Sequence, residues 1–129
     1  MTTVKVTRTQ HVDVNKALEK LEDVAVEVGV FADAGNYPNG TPIAEVAAYQ
    51  EFGTQNMPAQ PFMRLNMLRN KADYIRIQKK LMLLVIEGKI TAEKANQVLG
   101  GLIVKDLQEV APSDTGRLRD AIEWKPSKD

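Results

Sequence analysis

The sequence has no cysteine, which excludes disulfide staples and thiolate metal sites and makes the chain indifferent to the redox state of its compartment. It has a single histidine, His11, with no carboxylate cluster at metal-ligand spacing beside it, so a solvated strand-edge imidazole is the simplest reading. An excess of charge of one sign is also missing. Seventeen basic residues balance seventeen acidic ones, and the field that drives sequence-independent nucleic-acid binding through counterion release is not there. No apolar run approaches the ~18 residues of a membrane span, and MTTVKVTRTQ lacks the apolar centre of a signal peptide. Neither membrane insertion nor export is expected, and synthesis in a reducing cytoplasm fits. GxSxG, P-loop, GxGxxG and HExxH patterns are absent, and with them the common nucleophilic, phosphate-cradling and zinc-hydrolase chemistries. The expectation is a protein without cofactor or metal that is not an enzyme.

What is present is the composition of one ordinary globular domain spanning residues 1–129, with 43% apolar and 26% charged residues. Residues 3–9 (TVKVTRT) alternate β-branched with polar side chains and predict a strand. Asp13 can cap a short helix whose Val14, Ala17, Leu18 and Leu21 share one face. The acidic group Glu19, Glu22, Asp23 and Glu27 is answered by Lys16 and Lys20 and reads as a solvated face. Alternation resumes from Val24 to Phe31, a second strand with Val24, Val26, Val28 and Val30 on its apolar side. Residues 33–42 are dense in Gly, Pro and Asn and predict a loop, with Asn39-Gly40 at its tip. Thr41 as cap and Pro42 in the first turn open a helix through IAEVAAYQEF, with Ile43, Val46, Ala47 and Phe52 apolar and Gly53 as left-handed terminator. Residues 53–61 form a connector, because Pro58 and Pro61 strip backbone donors and favour extended chain.

From Arg64 the period becomes helical, with Leu65, Leu68, Ala72 and Ile75 on one stripe, and Leu81 to Ile86 is apolar on every side, which calls for partners on more than one face. Thr91 caps a second long helix carrying Ala95, Val98, Leu99, Leu102, Ile103, Leu107 and Val110 at i, i+3, i+4 spacing. Gly100-Gly101 in its middle costs roughly 2 kcal/mol against two alanines and marks a kink or a close crossing. Pro112 ends it, Ser113 or Asp114 caps a last short turn, and IEWKP returns as a strand. The expected class is α+β, a small antiparallel or mixed sheet packed against helices with a long C-terminal helical hairpin.

The loop Met57, Pro58, Pro61, Phe62 carries apolar groups on stiffened backbone and so loses little entropy on docking, which suits a subunit contact, although Phe62 at a loop–helix junction can equally belong to the chain's own core. Met57, Met63, Met67 and Met82 read as binding surface or core filler, and the i, i+4 pair Met63 and Met67 favours core or subunit interface. Arg117 and Arg119 near Thr115 can mimic an anion site at a helix start, or be surface arginines beside a cap. The candidate partner surface comprises Phe52, Met57, Pro58, Pro61, Phe62, Met63, Arg64 and Arg117.

The ordered series VGVF at Val28–Phe31, YPNGTPIAEVAAYQEFGT at Tyr37–Thr54, MPAQPFMR at Met57–Arg64 and PSDTGRLRDAI at Pro112–Ile122 resembles the head-tail joining and tail-completion proteins of tailed bacteriophages. The EFG-to-PxxPF block is its most specific part. Gln50 departs from a frequent Asn and Gln60 from a frequent Arg, which leaves an arginine contact at position 60 without its donor. The resemblance implies a structural virion protein, a neck, connector or tail-terminator component. It implies assembly into a homo-oligomeric ring, hexamer or dodecamer, between neck or connector proteins and the tail tube. Genome DNA would pass through a neutral or acidic lumen without specific binding, and assembly would take place in the host cytoplasm. Two other classes compete. A small phage-encoded inhibitor or assembly chaperone would stay monomeric at high concentration, and a metal-dependent hydrolase would need a ligand cluster that the sequence does not offer.

Overall fold

Alternation of valine with polar or small residues produces the first strand of the computed structural model, which describes residues 22–112 and 116–127. The expected strand at 3–9, the helix capped by Asp13, His11 and the Ser113/Asp114 cap lie outside the described residues. Strand β1 runs Val26–Gly29 and pairs antiparallel with β2, Glu123–Pro126, in the register Val28 to Trp124 and Gly29 to Glu123. The architecture is α+β, with two strands and four helices among the described residues. β1 is shorter than the valine alternation because Val24 leaves the sheet for the core. Its side chain is fully buried and its carbonyl accepts from Gln78 Nε2 at 2.9 Å. Lys125 on β2 pairs with Asp33 at 3.1 Å and lies over the Phe31 ring, tying the sheet to the short 3-10 turn Ala32–Ala34.

The 33–42 loop closes on itself through Gly40 N–H to Tyr37 O and Tyr37 N–H to Thr41 O, both 2.8 Å. Helix α1, Ile43–Phe52, then starts one residue later than Thr41 capping would place it. Pro42 is still extended (φ −61, ψ 136) and occupies the cap position, so no side chain caps the helix, and Thr41 instead donates its N–H to Asn39 Oδ1. Ile43, Ala47 and Glu51, spaced four apart, form the buried face; Val46 is half-buried and Phe52 is exposed. Gly53 ends α1 with positive φ but extended ψ (76, 172) rather than the left-handed helical conformation. A Cβ there would approach Ala59 N to 2.8 Å, so the returning connector requires glycine.

Helices α2, Phe62–Ile86, and α3, Ala92–Val110, make the long antiparallel hairpin. Thr91 caps α3 as expected, its Oγ1 accepting from Lys94 N–H at 3.0 Å. On α3 the buried set is Ala95, Leu99, Ile103 and Leu107, while Val98 and Val110 are exposed. α2 departs further from expectation. It begins at Phe62, and its buried face is Phe62, Asn66, Tyr74, Leu81 and Val85. The stripe Leu65, Leu68, Ala72, Ile75 points the other way and is exposed, and Leu83 and Ile86 of the all-round apolar stretch are exposed with it. The physical reason is a hydrogen-bonded seam between the helices. Asn70 Nδ2 donates to Asn66 Oδ1 (2.9 Å), Asn66 Nδ2 donates to Tyr74 Oη (2.8 Å), and Tyr74 O–H donates to Asp106 Oδ2 on α3 (2.6 Å). Polar groups satisfied in this way are as much at home in a core as apolar ones. Burial first, and then the bond to Asp106, push the Tyr74 hydroxyl up to about 12.

Gly100-Gly101 is a close crossing and not a break, since α3 continues through it. The Trp124 ring of β2 packs on Gly100 so tightly that a Cβ would lie 2.4 Å from Trp124 Cγ, whereas Gly101 faces open space. α3 stops at Val110 before Pro112, and α4, Arg117–Asp120, seats Leu118 and then Ile122 in the core before β2. No helix among the described residues is long and apolar enough to cross a membrane.

Two outcomes test this packing. Gly100→Ala will destabilise the protein by about 1–3 kcal/mol through overpacking against Trp124, while Gly101→Ala will stabilise it by about 0.5–1 kcal/mol through helix propensity, both read from denaturant unfolding. Because the folded state raises the Tyr74 pKa above its ordinary value of 10.0, its contribution is complete below pH 10 and is lost as pH rises toward about 12. The stability difference between wild type and Tyr74→Phe will therefore be constant below pH 10 and shrink above it.

Candidate functional site

The proline-stiffened connector between α1 and α2 is organised by one carboxylate. Glu51 sits on the last turn of α1, four residues after Ala47 on the buried stripe, with its side chain only 8% exposed. It faces the first turn of α2, where backbone N–H groups have no helical acceptor. Glu51 Oε1 accepts from Met63 N–H at 2.8 Å and Oε2 from Arg64 N–H at 3.2 Å, so a residue of one helix caps the next. Arg64 completes the arrangement from the same turn. Its Nε donates to Glu51 Oε2 at 2.9 Å and its Nη2 to the Glu51 carbonyl, and its guanidinium lies 4.7 Å from the centre of the Phe52 ring.

With both ends fixed, the connector folds tightly between them. Thr54 and Met57 exchange backbone hydrogen bonds, Asn56 N–H donates to Thr54 Oγ1, and Gln60 N–H donates to Gln50 O at 2.6 Å. The chain is therefore ordered without being helix or strand over residues 53–61.

The candidate partner residues divide into a buried support and an exposed edge. Phe62 is buried in the core beneath the connector, which decides between its two readings, and Met63 is half-buried against that core. Pro58 and Arg64 are exposed, Met57 and Pro61 are half-buried, and Phe52, 69% exposed, is the largest apolar group presented to solvent here. Arg117 is exposed at the start of α4, whose four residues align too few peptide dipoles to make an anion site. Met67 is exposed on α2 and Met82 half-buried.

A concavity of about 480 Å³ lies between the 33–42 loop, α1 and α4, lined by Tyr37, Asn39, Val46, Gln50 and Leu118 among others. Among the described residues its lining has no carboxylate, histidine or lysine, hence no acid–base pair. Among the described residues no group of three His, Cys, Asp or Glu could hold a metal ion. The arrangement can present a rigid surface.

Glu51 was not among the residues singled out by sequence. Its signal was there, however, as an acidic residue on the stripe Ile43, Ala47, Glu51, where an apolar one belongs. The chain matches no protein-family model, no curated protein and no solved structure.

Removing the cap tests the arrangement. Glu51→Ala will cost about 2 kcal/mol of unfolding free energy, since it strips two α2 donors of their acceptor, while Arg64→Ala, exposed at its tip, will cost under about 1 kcal/mol. The double variant will cost less than the sum, because both changes remove one shared contact, as a denaturant-based double-mutant cycle can measure.

Proposed function

We propose that this chain is a non-enzymatic structural protein of a tailed-phage virion, assembling into a ring at the head-tail junction and joining tail to head around the DNA channel. The observation that carries the reading is spatial. Of the blocks bearing the resemblance, Tyr37–Thr54 and Met57–Arg64 are separated from Pro112–Ile122 by a long helical hairpin, yet their described parts meet at α1. The start of α2 and α4 both pack against that helix. A shared pattern that folds into one contiguous end is what a common docking surface requires.

On this reading Phe52, Met57, Pro58 and Arg64 form the edge offered to neighbouring neck, connector or tail-tube proteins, and Phe62 and Glu51 hold that edge rigid. Rigidity matters because a pre-ordered loop loses little entropy on binding. The balanced net charge fits a wall past which DNA slides without sticking.

A phage lacking this chain will make DNA-filled heads and separate tails that do not join into infectious particles. Phe62→Ala will lower the melting temperature by several degrees, since truncating a buried Phe costs roughly 3–5 kcal/mol. The double variant Phe52→Ala, Met57→Ala will melt near wild type yet fail to complement the deletion. Normally joined particles from the deletion phage, seen by electron microscopy, would sink the proposal.

A further inference from the structure

The face of α2 turned away from the hairpin has a pattern of its own. Leu65, Leu68, Ala72, Ile75, Met82 and Ile86 recur at alternating steps of three and four, with Lys79 filling the one missing place. All are exposed except the half-buried Met82, and Leu68 is 78% exposed. Alternating three-four spacing is the signature of a helix packed lengthwise on a partner, and an apolar strip of this length without cover is unusual for a lone soluble chain.

Charge then selects the occupant. α2 carries six cations (Arg64, Arg69, Lys71, Arg76, Lys79, Lys80) and one anion, Asp73, all exposed. With seventeen of each sign in the whole chain, the remainder holds eleven cations and sixteen anions. Lys71 borders the apolar strip on one side and Arg69 on the other, and Lys79 stands within it; although Arg64 and Arg76 already pair with Glu51 and Asp73, the face stays cationic, so two α2 faces repel each other. One α2 face and the acid-rich remainder of another copy attract. We infer that the α2 strip is the contact between successive copies of this chain, seated on a different, net-acidic surface of its neighbour. Such a contact is head-to-tail. It cannot close as a two-fold dimer and propagates to a ring or filament. The inference deepens the proposed function, on which it rests, by naming the surface that builds the ring.

The full-length protein provides the test, and its lack of cysteine helps. Sedimentation over a concentration series should show wild type associating beyond dimer, and Leu68→Glu with Ile75→Glu should weaken association at least tenfold without changing the melting temperature. Added to wild type, that variant should shorten the assemblies, because its intact acidic surface still accepts one α2 face. The single variant Leu68→Cys should form no disulfide with a second copy of itself on oxidation. The inference is overturned by a strictly monomeric wild type at millimolar concentration, or by a double variant that associates normally. A melting temperature lowered by several degrees would show that the chain covers its own strip, and rapid oxidation of the Leu68→Cys variant to a disulfide-linked dimer would show a two-fold contact; either result overturns it. Dissolution of the assemblies by duplex DNA seated on Arg69 and Arg76 would overturn it equally. Head-to-tail assembly by a chain that proves absent from virions would refute the virion reading and leave this one standing.

Discussion

A buried carboxylate at the start of α2 is the constraint on which the candidate surface depends. Glu51 fixes the angle between α1 and α2 by capping the second helix from the end of the first, and the nine residues between them have no freedom except to turn back sharply. Gly53 supplies the positive φ for that return and the prolines remove competing donors, so the connector is held by its ends more than by contacts of its own. The exposed position of Phe52 and Pro58 is thus a consequence of Glu51's burial. Arg64 serves twice, neutralising the buried carboxylate and shielding one face of the Phe52 ring.

α2 has two faces of nearly inverted character. The side packed on α3 is rich in Asn and Tyr through its first half, and the side in solvent is rich in leucine. Hydrogen bonding resolves the first half of the inversion, because Asn66, Asn70, Tyr74 and Asp106 satisfy one another across the hairpin. Such a seam is directional in a way that leucine packing is not, so it fixes the register of the two helices. The apolar outer face has no comparable resolution among the described residues.

Much of the architecture was legible in the residues, and the losses have definite causes. Period-two valines and the IEWKP alternation placed both strands, and Thr91, Gly53 and Pro112 bounded the helices to within a residue or two, because local sterics and caps act through neighbouring positions. What periodicity could not tell was which side of α2 faces inward. Hydrophobicity pointed to Leu65, Leu68 and Ile75, and a polar network whose partner Asp106 lies 32 residues from Tyr74 reversed the answer. Glu51 was missed for the same kind of reason, since its role depends on donors twelve and thirteen residues downstream that no local window connects to it. Of the candidate surface, the exposed edge was anticipated, and Phe62 was settled as core only by its burial.

The pairing of β1 with β2 has a consequence for how the chain comes to be folded at all. Val26 pairs with a strand roughly a hundred residues further on, the last described element of the chain. During synthesis the hairpin of α2 and α3 can form from local contacts as it leaves the ribosome, while β1, made long before, waits with an open edge for a partner not yet translated. An unpaired edge in a crowded cell invites association with any other extended segment. Four residues is about as little edge as a strand can offer during that wait, and Trp124, clasping Gly100 once it arrives, makes the late closure hard to reverse.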